Sequence, residues 1–131
     1  MKKGQLLNQP ISAVIAGMGH LDELVIADAG LPIPRQTPRI DLALTPNVPG
    51  FLETVRAVLT ELKVESAVVA EEIHAASPEI YAALRELLGD IPIEEETHLI
   101  FKEMTRSARA VIRTGECTPY ANVILRAGVV F

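Results

Sequence analysis

Apolar positions spaced three and four apart alternate with short unbroken apolar runs along this chain, a pattern that predicts helices interleaved with buried strands. Ile11, Val14, Ile15 and Met18 mark a first helix. Asn8 can cap it, Pro10 suits its first turn and Gly19 can stop it. Residues 24–27 read as a buried strand ending at Asp28. The stretch 28–39, with three prolines and a glycine, reads as a structured loop. A second strand is expected over 40–44, closed by Thr45-Pro46-Asn47 and Pro49-Gly50. Phe51, Leu52, Val55, Val58, Leu59 and Leu62 then trace a strongly amphipathic helix. A third strand follows over 64–70. Ser77-Pro78-Glu79 opens a helix carrying Ile80, Leu84, Leu87 and Leu88, which Gly89 and Pro92 end. A short strand over 91–95 and a weaker helix over 97–107 come next. Strands over 110–113 and 122–125 flank a turn-rich segment and close the chain. This order predicts an α/β fold: a three-layer α/β/α single domain over 1–131 with a mixed, mostly parallel sheet.

Composition sharpens that picture. Hydrophobic residues make up 49% and charged residues 22% of 131 residues, with a mean hydropathy of +0.28. Such a chain has apolar surface to spare for subunit interfaces. The net charge of −5, with no basic stretch beyond Lys2-Lys3, argues against a nucleic-acid partner, which needs a Lys/Arg stripe to meet phosphates. The apolar runs fall far short of the ~20 residues that span a bilayer, and Lys2-Lys3 leads into polar residues rather than the apolar core of a signal peptide. A single Cys117 makes no internal disulfide. Together these point to a cytoplasmic protein without a membrane partner.

Few residues are placed to do chemistry. His20 follows the first helix, whose negative dipole end favours the charged imidazolium by a few tenths to ~2 kcal/mol and suits a general acid. The bland alternative is a histidine bonded to a helix-end carbonyl. Asp28 lies at the carboxyl end of a strand, where open α/β sheets place ligand-binding groups, and an Asx-turn holding the proline loop is its compatible structural reading. In the segment 113–122, Tyr120 and Asn122 offer a stacking surface and a donor–acceptor amide; alternatively the loop satisfies its own backbone. His98, near a helix start, is weaker by position alone. Asp22 and Asp41 read as solvated or capping residues. No HExxH or paired-cysteine spacing supports a metal site, no Gly-x-Ser-x-Gly elbow is present, and Gly17-Met18-Gly19 precedes a strand rather than a helix.

These residues resemble the ribose branch of the ribose pyranase and fucose mutarotase family nearly end to end. The likeness is carried by Met1-Lys2-Lys3-Gly4 with Leu7-Asn8, by Gly19-His20, and by residues 24–34 with their Ala29-Gly30-Leu31-Pro32-Ile33-Pro34 motif. Residues 39–44 continue it, as does 111–116 through Pro119-Tyr120-Ala121-Asn122 to Gly128. The resemblance implies a cofactor-free enzyme that interconverts the pyranose and furanose forms of D-ribose. Carried over by position, His20 is the proton donor, while Asp28, His98, Tyr120, Ala121 and Asn122 bind the sugar. After His98 the family usually shows acidic residues where this chain has Leu99-Ile100. A mutarotase for another sugar such as fucose, and a non-catalytic sugar-binding accessory subunit, are the alternatives.

Eight residue steps separate His20 from Asp28, up to ~27 Å of extended chain. The first helix runs opposite to the following strand, so the two residues fall near opposite ends of that strand. Either the chain folds back sharply at Leu21-Asp22-Glu23, or a site containing both draws them from different subunits. The apolar composition favours the second reading, and the resemblance implies a ring-shaped, decameric assembly with sites between neighbours.

Overall fold

The computed structural model describes residues 1–131. Its elements, in chain order, are α1 (Gln9–Gly17), β1 (Glu23–Ala27), β2 (Arg39–Asp41), α2 (Phe51–Leu59), β3 (Val64–Ala70) and α3 (Ile73–Ala76), then α4 (Pro78–Leu88), β4 (Ile93–Glu96), α5 (His98–Met104), β5 (Ala110–Arg113) and β6 (Val123–Ala127). The strands form one six-stranded sheet in the order β2-β5-β1-β6-β3-β4. The β1–β5, β2–β5 and β3–β4 pairs are parallel, and β6 runs antiparallel between β1 and β3. The mixed, mostly parallel sheet expected from the alternation of elements is therefore what forms.

Period-two alternation divides the sheet into two packed faces. Leu24, Ile26, Ala67, Val69, Ala110, Ile112, Val123 and Leu125 point to one face. There they meet Ile11 of α1, Phe51, Val55 and Val58 of α2, and Leu84 and Leu88 of α4. Val25, Ala27, Val68, Val111 and Ile124 point to the other, where Phe101 of α5 and Leu31 of the proline loop cover them. At ~25 cal/mol per Å² of apolar surface, these fully buried aliphatic chains supply the main drive to fold.

Local signals set most boundaries. Asn8 Oδ1 accepts from the Ile11 amide at 3.0 Å, and Pro10 occupies the first turn of α1. Thr97 caps α5 by accepting from the Ile100 amide at 3.3 Å. Other boundaries differ from expectation. The second strand is shorter than 40–44 because Asp41 Oδ1 accepts from the Ala43 amide and Leu44 turns to bond Val48, drawing the chain off the sheet. The helix over 97–107 stops at Met104 and finishes as a single 3-10 turn, with Thr105 Oγ1 donating back to the Lys102 carbonyl at 2.7 Å. The short α3 was not expected, since four residues carry too little periodicity to announce a helix. β4 and β6 sit one to two residues later than expected.

Candidate sugar-binding site at the carboxyl ends of the strands

The carboxyl ends of the parallel strands release Asp28 after β1, Glu71-Glu72 after β3 and Thr97-His98 after β4. The antiparallel β6 delivers Tyr120, Ala121 and Asn122 to the same end of the sheet, because its first residue lies where its neighbours finish. Five of the sequence-predicted residues therefore converge here, from segments more than ninety positions apart in the case of Asp28 and Asn122.

Asp28 and Asn122 lock each other. The Asp28 amide donates to Asn122 Oδ1 at 2.8 Å, and Asn122 Nδ2 donates to Asp28 Oδ2 at 3.0 Å. Asn122 is fully buried, so this reciprocal pair fixes which way its amide faces. Asp28 Oδ1 also accepts from the Gly30 amide at 2.9 Å, the Asx-turn read from the sequence. Both carboxylate oxygens thus have an internal partner, and each keeps a further acceptor position for a ligand hydroxyl.

Asp28, Gly30, His98, Pro119 and Tyr120 line one cavity of about 310 Å³, at the small end of the ~300–1,000 Å³ range of ligand pockets. His98 and Tyr120 meet edge to face at 5.0 Å between ring centroids. His98 Nδ1 is buried without a hydrogen-bond partner. The His98 ring thus has polar capacity that nothing within the chain satisfies at Nδ1.

Supporting residues that sequence reasoning missed hold this end rigid. Both oxygens of Glu72 accept from the His98 amide, at 3.0 and 2.9 Å, and this bond holds the Glu72 carboxyl below the usual carboxylate range. Arg113 donates to the Ala29 carbonyl at 3.0 Å while forking onto both oxygens of Asp41 at 3.1 Å, which pins the loop after Asp28. Thr114 Oγ1 donates to the Ala27 carbonyl at 2.7 Å, and Ser77 Oγ to the Pro119 carbonyl at 2.5 Å. Glu116 accepts from the Phe51 amide and the Thr118 hydroxyl; these hydrogen bonds outweigh burial, which alone would raise its pKa, and leave it lowered. Tyr120 adopts a left-handed backbone with φ of 60°, a conformation costly for a bulky residue and characteristic of ligand sites. Ala121 is fully buried and contributes packing beneath this turn.

His20 is elsewhere. Its ring lies at the opposite end of β1, a strand of five residues or ~17 Å, in a separate cavity with Lys63, Gly128 and the C-terminal Val129-Val130-Phe131. His20 Nε2 lies 2.9 Å from Glu65 Oε2, which adds a second negative group to the helix end. The two clusters share no lining residue. Asp22 behaves as expected of a capping residue, accepting from the Gly19 amide at 2.8 Å. No three His, Cys, Asp or Glu side chains converge closely enough to hold a metal ion, and no helix is long and apolar enough to cross a membrane.

The model of the RbsD / FucU transport protein family matches residues 1–130. The chain belongs to this family. Members named D-ribose pyranase include that of Coprothermobacter proteolyticus, 56% identical over the full length of both chains, and that of Vibrio cholerae, 54% identical over the same span. Among solved structures, Bacillus subtilis RbsD complexed with D-ribose superposes with a TM-score of 0.97 at 46% identity, covering all of both chains. The fucose mutarotase of Streptococcus pneumoniae in complex with L-fucose is more distant, with a TM-score of 0.82 and 25% identity over all of both chains.

Proposed function

We propose that this chain is an isomerase of D-ribose, interconverting its pyranose and furanose forms by acid–base-assisted opening and closing of the ring. The observation that carries the reading is full-length identity of 52–56% to proteins named D-ribose pyranase, together with a TM-score of 0.97 to a ribose-bound relative. The much lower identity to the fucose mutarotase favours ribose over fucose as substrate.

The chemistry suits the residues. Opening requires a proton on the ring oxygen as its bond to the anomeric carbon breaks, while the anomeric hydroxyl loses a proton and becomes the aldehyde. Closing through a different hydroxyl reverses those transfers. The reaction is redox-neutral: one C–O bond breaks and another forms, with a proton gained at one oxygen and lost at another in each step. His20 gives the proton to the ring oxygen and recovers it on closure. Asp28 accepts from sugar hydroxyls, His98 and Tyr120 offer their rings and polar atoms, and Ala121 and Asn122 shape and hold the turn. A positioned acid of this kind contributes ~10²–10⁴-fold.

Because His20 and Asp28 lie at opposite ends of β1, a complete site takes His20 from one chain and the Asp28 cavity from a neighbour. Exposed Leu7, Leu44, Val130 and Phe131 give such neighbours apolar surface to bury. A closed homo-oligomer in the cytoplasm, a decamer with sites between subunits, is the assembly in keeping with this division. Magnetisation-exchange NMR on D-ribose tests the activity: the wild type accelerates pyranose–furanose exchange and His20→Ala loses most of it. Wild-type rates in that variant would remove His20 as the donor, and binding without acceleration by the wild type would instead identify an accessory sugar-binding subunit.

A further inference from the structure

We infer that Glu65 is a positioning residue for His20: its carboxylate holds the Nε2 proton and thereby makes Nδ1 the nitrogen that exchanges a proton with the sugar. The inference rests on the role proposed above for His20.

A single exposed histidine–glutamate contact is ordinarily worth little. Here three further features build it. First, the register of β3 against β6 slips between Val64 and Ser66: two steps on β3 span the one step from Ala127 to Arg126. Glu65 is the extra residue. The slip lets Val64 join the same core face as Ala67, three positions on, where a regular strand would turn them to opposite faces. Bulges of this kind re-aim a side chain, and this one turns Glu65 onto the His20 ring. Second, the residue after His20 is Leu21 with φ of 69°. A leucine in the left-handed region is strained, and this one is half-exposed, so burial of its side chain does not explain it. Its amide donates to the Ala127 carbonyl at 2.9 Å, fixing the turn that presents His20. Third, Gly128 closes over Glu65: a Cβ there would stand 3.1 Å from Glu65 Cβ and 3.5 Å from its Oε2. The Gly128 amide donates to the Lys63 carbonyl at 2.8 Å, holding that approach. Three segments far apart in sequence thus spend strain and close packing on one contact.

The contact has a chemical consequence. Protonated His20 carries N–H groups on both nitrogens, with Nε2–H directed to Glu65. Giving the Nδ1 proton to the ring oxygen leaves the neutral Nε2–H tautomer, the form whose N–H the carboxylate already accepts. When the ring recloses, the lone pair on Nδ1 takes the proton back. No N–H needs to move between the two steps.

The test uses the assembled full-length protein. In ¹⁵N NMR of the wild type, neutral His20 should carry its proton on Nε2. Glu65→Gln should lower kcat for ribose exchange about tenfold, the lower range for a charge-assisted hydrogen bond at a half-exposed pair, with KM unchanged. Glu65→Asp, which keeps the charge, should recover part of kcat. A wild-type ring protonated on Nδ1, or wild-type kcat in Glu65→Gln while His20→Ala is inactive, would overturn the inference and leave the role of His20 intact. An active His20→Ala would instead overturn that role. Where Glu65→Gln fails to fold, the wild-type tautomer decides alone.

Discussion

Replacing Asn122 by Asp probes the lock that organises the strand-end cavity. In the native structure Asn122 Oδ1 accepts from the Asp28 amide at 2.8 Å, and Nδ2 donates to Asp28 Oδ2 at 3.0 Å. Asn122→Asp keeps the first bond and turns the second into an oxygen–oxygen contact between two carboxylates. At an effective dielectric of about 20, unit charges ~3 Å apart repel by roughly 5.5 kcal/mol. Taking up a proton at pH 7 costs an ordinary aspartate only about 4 kcal/mol, so the pair protonates instead, and the resulting O–H restores the missing donor. The expected destabilisation is therefore about 4 kcal/mol at pH 7 and about 1.5 kcal/mol at pH 5. The sign follows from linkage: between those pH values the folded variant binds a proton that the unfolded chain does not, so stability falls as pH rises. Asn122→Ala is the control, leaving an amide and a carboxylate oxygen without these partners for about 1–3 kcal/mol at either pH. Urea unfolding at fixed protein concentration reads both variants. A pH-independent loss in Asn122→Asp, equal to that of Asn122→Ala, would refute the reciprocal pair.

A Cβ on Gly115 would lie 2.5 Å from the Val48 carbonyl oxygen and 2.7 Å from that of Thr45, so Gly115→Ala should cost at least 1–3 kcal/mol in urea unfolding. Gly17→Ala, with open space around it at the end of α1, should be neutral or stabilising by up to ~1 kcal/mol. The lowered Glu72 carboxyl stabilises the fold above the ordinary glutamate range, and that contribution is lost as pH falls through the folded value. Glu72→Gln should therefore flatten the acid limb of a stability–pH curve and, by loosening His98, raise KM for ribose more than it lowers kcat.

The layers and most elements were legible because their signals are local. The spacing of Ile11, Val14, Ile15 and Met18 announces α1, and the polar cap at Asn8 starts it. Strand order was not legible, because it depends on β6 inserting antiparallel between β1 and β3, a pairing of segments about a hundred residues apart. The end of β2 was misplaced for a similar reason: the Asp41 side chain bonds a backbone amide and competes with the ladder. At the site, Asp28 and Asn122 were visible as polar residues at strand ends. Their mutual bond was not, nor was the support from Glu72 and Arg113, which reads in sequence as ordinary surface charge. Glu65 was hidden most completely. Within Val64-Glu65-Ser66-Ala67 it looks like a solvent-facing strand position, and only the register slip against β6 re-aims it. The separation of His20 from Asp28, by contrast, was readable from the direction of α1 and the length of β1, and the two disjoint cavities agree with it.

In the proposed mechanism one chain's His20 acts on a sugar held by another chain's Asp28. Co-assembly of two inactive variants, His20→Ala and Asp28→Asn, tests it most directly. Random mixing in equal amounts gives about a quarter of intersubunit sites both native residues. Ribose exchange followed by NMR should recover to about that fraction of the wild-type rate in the mixture and in neither variant alone. Verified mixed oligomers that stay inactive would place both residues of a site on one chain and contradict the account.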